Sequence, residues 1–440
     1  LSEIPESVAA AVAGQLRIDR SPSDIEKNAR AYDIYLRGRY QELAGTPRIM
    51  LGRMSVDAMR RAQALYAQAR AIDPNFAGAR SKLATAHIFA ATTYDTTRAR
   101  LEQARLEAEA ALRLDPLLSE PHEALSAYWS KTGNSQKAIE EIEIGLKNSP
   151  HHAGLRLALG QRLVEAGRFE DAIAQFKLTA RLDPRNPVAM WRAASAYGRT
   201  RRNGEGMKAF DRLIEISPYD HDMKLIQGHS YLRWKGSTEK LHSAIKRIPR
   251  DWDGGGMATF ARYTALRVDR RYRDALAMLD SSKAEMSTDG LAYYPKALMR
   301  AELYEGLGDM RNASIQYAIA ARLLEDSVSL HPGNGSIHAA LGLAYAGLHR
   351  KRDAIAESNH AMNITKLSRN ANYATAYMGL AIEVFGRVGE RDRAFEMIEL
   401  MLTMPAGREV TIPFLRVWPG YDSLRSDPRF EALLKRFAPK

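Results

Sequence analysis

Along most of the chain apolar residues return every three or four positions, in runs that stop at a proline or a glycine. Period-two alternation never persists, so the pattern predicts helices throughout and negligible strand. The stretch AGRFEDAIAQFKLTARLDP, Ala166 to Pro184, shows how one run is built. Gly167 permits a tight reversal before the helix. Ala172 and Phe176 lie one turn apart on the same face. Pro184 ends the helix because it has no N–H to donate.

The closing prolines set a period. Pro74, Pro116, Pro150, Pro184 and Pro218 are separated by 42, 34, 34 and 34 residues, and Pro249 follows after 31. The unit Ala153 to Asn186 is the clearest, with Leu159-Gly160 in a first helix, Gly167 at the turn, Ala172 and Phe176 in a second helix, and Pro184 at the close. Gly160 and Ala172 are small where two helices of the hairpin cross at close range, and Phe176 is expected to fill the space between hairpins. The extra length before Pro116 falls near TTYDTTR. Beyond Pro249 the signal weakens: Ala275, Gly308, Ala313, Gly342, Ala354, Gly389 and Ala394 keep the small positions, and RDWDGGGM and SVSLHPGNGS read as loops at irregular joints, the first a flexible one. The pattern predicts about nine helical hairpins, a first helix near Pro5 to Leu16 and a last near Asp427 to Phe437.

A 34-residue helix–turn–helix unit with Leu-Gly, then A-x3-F, then Pro resembles the tetratricopeptide repeat. The resemblance runs over nearly the whole chain and is most specific in the units closing at Pro150 and Pro184. It implies an all-α, right-handed superhelix of helical hairpins with a C-terminal capping helix. The corresponding division is an N-terminal helix and linker over 1–30, a regular array over 31–249, a degenerate array over 250–405 and a cap over 406–440. The ends resemble something narrower. ESVAAAVAGQLRID followed by NARAYDIYLRGRY is similar to the junction in bacterial signalling proteins where a TolB-like module gives way to tetratricopeptide repeats, and VWPGYDSLRSDPRFEALLKRF is similar to their closing segment. In that group the repeats follow a nucleotide cyclase, winged-helix or Ser/Thr kinase domain. The chain begins at Leu1 rather than Met, and the resemblance implies that its natural start lies upstream.

Composition changes the picture in two places. Cysteine is absent, which excludes disulfides and thiolate chemistry and fits a cytoplasmic protein. The net charge of +12 is concentrated: residues 191–273 hold 18 Lys/Arg against 9 Asp/Glu. A basic block of this kind is either a solvated face or an attraction for an acidic partner. No apolar run is long enough to span a membrane.

The first helix of each unit lines the concave face, where such arrays bind extended peptides or a partner's helix. Counted from the unit starts, the inner positions are Gln161, Trp191, Ser195, Arg199, His229, Arg233 and Arg267. The arginines suit carboxylates, which guanidinium grips bidentately. Trp191 either anchors a partner or packs between hairpins. The family's chaperone-tail clamp needs Lys and Asn where this chain has Leu157 with Gln161 and Trp191 with Ser195, so that ligand is disfavoured. Walker, H-E-x-x-H and G-x-S-x-G motifs are absent, and no catalytic, metal or cofactor residue is assigned. His151-His152 reads as a surface turn. RNA readout would repeat the same polar residues in every unit, and these positions vary, which argues against nucleic acid. The expected function is a non-enzymatic protein-interaction or sensory region of a signalling or transcription-regulatory protein. Its alternatives are a regulatory segment of a cyclase or kinase, and a free-standing adaptor.

Overall fold

The predicted runs form helices that pair in sequence order. The computed structural model describes residues 22–44, 55–95, 97–288, 293–368, 371–404 and 410–438, and the expected helix at Pro5 to Leu16 lies outside them. Ten antiparallel hairpins follow one another among the described residues: α1 (Pro22–Ala44) with α2 (Val56–Ile72), α3 (Ala77–Thr93) with α4 (Arg98–Leu114), and α5 (Glu120–Lys131) with α6 (Ser135–Asn148). Next come α7 (Ala153–Glu165) with α8 (Phe169–Leu182), α9 (Pro187–Arg199) with α10 (Asn203–Ile216), α11 (His221–Lys235) with α12 (Glu239–Lys246), and α13 (Met257–Val268) with α14 (Tyr272–Ser281). The last three are α15 (Lys296–Gly306) with α16 (Met310–Leu330), α17 (Gly335–Gly347) with α18 (Lys351–Ser368), and α19 (Ala371–Arg387) with α20 (Arg391–Thr403). The short helices α21 (Ile412–Val417), α22 (Asp422–Arg425) and α23 (Pro428–Arg436) complete the C-terminal cap.

The contacts divide into two compact units. The first carries α1 to α5 and most of α6; the second carries residues 135–139 at the start of α6 and everything from α7 onward. In the first unit, Tyr66 of α2 lies beneath Gly38 of α1 and donates to Glu42 at 2.6 Å. Tyr128 of α5 donates to Glu102 of α4 at 2.7 Å, and Glu107 of α4 accepts from both Arg70 and Arg80.

In the second unit the small positions behave as the pattern requires. A Cβ on Gly160 would stand 2.3 Å from the Phe176 ring, so the aromatic of α8 rests directly on the α7 backbone. Phe176, Ala172 and Leu155 are fully buried.

The turns carry the period more faithfully than the helices do. The residue with left-handed backbone is Gly133, then Gly167, Arg201, Gly236 and Arg270, each 34 or 35 positions after the one before. Gly308, His349 and Gly389 continue the series at wider intervals: the segment between α14 and α15 widens the first, and α16, α18 and α19, of 21, 18 and 17 residues, widen the next two. The long interval before Pro116 has the same cause. Its extra residues sit in α3 and α4, each 17 residues long, rather than in the turn near TTYDTTR. A helix grows by adding hydrogen-bonded residues to a packed stripe, which costs less than an open loop.

Two local expectations change. The joint RDWDGGGM is a packed loop, not a flexible one: Gly254, Gly255 and Gly256 are all left-handed, Asp253 accepts from the Thr259 N–H at 2.7 Å, and Gly256 lies against the backbone of Met286 and Ser287. Strand is present as a two-stranded antiparallel ladder, β1 (Met286–Thr288) with β2 (Tyr293–Pro295).

Candidate functional site

The seven inner-face residues fall into two groups. Gln161, Trp191, Ser195 and Arg233 are half-buried on α7, α9 and α11, whereas Arg199, His229 and Arg267 are buried. The difference arises because α19 and the cap residues 410–421 lie along the inner side of α7, α9, α11 and α13.

Arg199, at the end of α9, reaches the hydroxyl of Thr375 on α19 at 3.5 Å, with the Phe169 ring 5.9 Å from its guanidinium. Its neighbour Arg201 donates to the Met401 carbonyl at 2.6 Å. Thr411 donates to the Arg233 carbonyl, and left-handed Gly236 lets the Pro413 backbone approach where any side chain would collide. Trp191 packs beside Ala194, Phe210, Leu213 and Met223, with the Arg192 guanidinium 4.4 Å from its ring. It therefore seals the joint between hairpins while keeping one edge in solvent.

Arg267 belongs to a buried charge network. Its guanidinium lies 3.0 Å from Glu302 of α15 and stacks 4.7 Å from the Trp418 ring. Arg387 of α19 shares the same Glu302 oxygen at 3.2 Å and reaches Glu305 at 2.9 Å and the Tyr317 hydroxyl at 2.7 Å. The Tyr263 hydroxyl donates to the second Glu302 oxygen. Glu383 accepts from the Trp418 indole N–H at 2.7 Å, and burial pushes its carboxyl up to about 7 against the pull of Arg267. Burial alone would discharge the arginines, yet the surrounding carboxylates and phenols hold Arg267 and Arg387 above the ordinary guanidinium range.

Next to this network a cavity of about 80 Å³ opens between α11, α13, α19 and the cap. His229, Arg233, Thr264 and Glu383 are its polar lining, and Phe260, Phe414 and Trp418 supply apolar surface. The Thr264 hydroxyl is buried without a hydrogen-bond partner. An orphan donor of this kind costs roughly 1–3 kcal/mol, so the cavity suits the polar tip of a small group. Glu383 is the residue that spacing could not reveal, since α19 comes from more than a hundred positions downstream of α13; Thr264 lies on α13 one turn before Arg267 and was missed.

The remaining candidates have structural roles. His152 caps α7, its Nδ1 accepting from the Leu155 N–H at 3.1 Å. Among the described residues no group of three His, Cys, Asp or Glu is placed to hold a metal, and no helix is long and apolar enough to cross a membrane.

Comparison with known proteins bears on the repeats. Residues 130–187 and 157–221 match the tetratricopeptide repeat family model. DnaJ homolog subfamily C member 3 of Bos taurus is 21% identical over 210 residues, 45% of this chain and 42% of that protein. Its counterpart in Rattus norvegicus is 22% identical over 182 residues, 39% of this chain and 36% of the other. The chain thus spans less than half the length of these relatives. Among solved structures, YrrB, described as a TPR protein with an unusual peptide-binding site, is 21% identical, with 38% of this chain and 81% of that one covered at a TM-score of 0.28. TTC0263, a TPR protein of Thermus thermophilus, is 16% identical, covering 44% and 99% at a TM-score of 0.37. The 34-residue turn period, the Gly160–Phe176 contact and the family match agree: the chain carries tetratricopeptide repeats, recognised over residues 130–221.

Proposed function

We propose that this chain is a non-enzymatic interaction region of a signalling or transcription-regulatory protein, and that it docks an acidic partner segment on α7, α9 and α11. The observation that carries the reading is the half-buried row Gln161, Trp191, Ser195 and Arg233 on consecutive first helices, in which the Gln161 amide is held by Glu165 at 3.0 Å while Trp191, Ser195 and Arg233 keep part of their surface in water. The basic surplus over residues 191–273 favours a partner with carboxylates. Arg199 and Arg267 take no part in this docking, as their side chains are committed to contacts with α19 and α15. The signalling context rests on the resemblance of the two ends of the chain.

The test is fluorescence anisotropy with labelled acidic peptides of about a dozen residues, against matched basic peptides. Trp191→Ala and Arg233→Glu should each weaken the acidic peptide by roughly tenfold or more, as hot-spot truncations do. Equal binding of basic and acidic peptides, or indifference to both substitutions, would reject the proposed face.

A further inference from the structure

α1 presents a row of large apolar side chains to water. Tyr32 is 54% exposed, Leu36 47%, Tyr40 68% and Leu43 64%. Their spacing of four, four and three residues places them on one stripe, opposite the buried Ala31, Ile34 and Gly38 that face α2. A contiguous exposed apolar stripe of this kind marks a contact surface.

We infer that the stripe is covered by the same stripe of a second copy, the two α1 helices packing antiparallel about a two-fold axis at Leu36. The pattern is self-complementary in that register. Leu36 meets its own counterpart, Tyr32 meets the partner copy's Tyr40, and Leu43 meets the small, exposed Ala29. The charges agree as well. Asp33 and Arg37 are both exposed on one flank of the stripe. The two-fold axis keeps that flank on the same side in both copies, so each Asp33 lies within one turn of the other copy's Arg37. A parallel two-fold pairing would carry that flank to opposite sides of the contact and leave Asp33 and Arg37 without each other. With two tyrosines and two leucines per copy, the contact removes roughly 400–500 Å² from each surface, in the range of weak, reversible interfaces. Association is therefore expected only from micromolar concentration upward.

Sedimentation equilibrium of the full chain, from about one to about a hundred micromolar, tests this. The wild type should pass from monomer to dimer in that range. Leu36→Arg sets two guanidinium groups on the axis and should leave a monomer throughout, with an unchanged far-ultraviolet circular dichroism spectrum because Leu36 is half exposed. Asp33→Arg should weaken the dimer about tenfold, and adding Arg37→Asp should restore it. A wild type that stays monomeric, as it would if another surface covered α1, overturns the inference. So does a dimer that survives Leu36→Arg, or a charge swap that fails to restore association.

Discussion

Replacing Glu302 with Gln removes the one carboxylate that Arg267 and Arg387 share, at 3.0 and 3.2 Å, while keeping an acceptor for the Tyr263 hydroxyl. Breaking a buried ion pair costs roughly 3–5 kcal/mol, because the surviving charge stays out of water. Two features reduce that figure here. Arg387 retains Glu305 at 2.9 Å, and Glu383 can ionise to supply Arg267 with a replacement charge. The net loss should therefore be about 2–4 kcal/mol at pH 7. Glu383 also gives the penalty a pH dependence. Its carboxyl, raised to about 7, is charged above that value and neutral below it, so Glu302→Gln should be worse tolerated at pH 6 than at pH 8. The two compact units make a single unfolding midpoint ambiguous. Amide hydrogen exchange in α15 and α19 reads the loss locally, and 2–4 kcal/mol corresponds to a rise of roughly 30- to 700-fold in exchange rate. A rise below tenfold, or a penalty that is the same at both pH values, would refute the claim that this network is held by shared charge.

Two further predictions concern single residues. Asp222 is buried at the start of α11 with its Oδ1 unpartnered, and burial, aided by the charge of Asp220, pushes its carboxyl up to about 6. Such a group stabilises the fold fully below its ordinary value near 4 and loses that contribution as pH rises through about 6; Asp222→Asn should therefore stabilise by about 1–3 kcal/mol at pH 7 and by nothing at pH 4, which chemical denaturation at the two pH values decides. His349 is exposed and sits in the left-handed turn position that Gly308 and Gly389 occupy in the hairpins on either side; His349→Gly should relieve backbone strain and stabilise by about 0.5–1 kcal/mol, visible as slower amide exchange in α17 and α18.

The hairpin architecture was legible because its signals are local. A proline at a fixed interval, a small residue facing an aromatic and a turn glycine each act within a few positions, and α5 to α10 repeat them in phase. Arg201, Arg270 and His349 hold the same turn position without glycine, so the turns there are visible only in the backbone. Long helices such as α16 stretch the interval and hide the later repeats from any search at a fixed period. The candidate face was legible in part. Counting from unit starts identifies which residues point inward, but it assumes that the inside is empty. Here α19 and the cap occupy that space, so Arg199 and Arg267 become interior residues, and Thr264 and Glu383 join His229 and Arg233 around a cavity. Contacts between residues more than a hundred positions apart leave no periodic trace.

The central claim is that α7, α9 and α11 receive a partner segment. Hydrogen exchange of the full chain with and without a saturating acidic peptide tests it most directly. Slowed exchange concentrated in residues 153–165, 187–199 and 221–235, and lost in Trp191→Ala, is the result predicted. Protection confined to α15–α18, or none under conditions where anisotropy shows binding, would contradict the account.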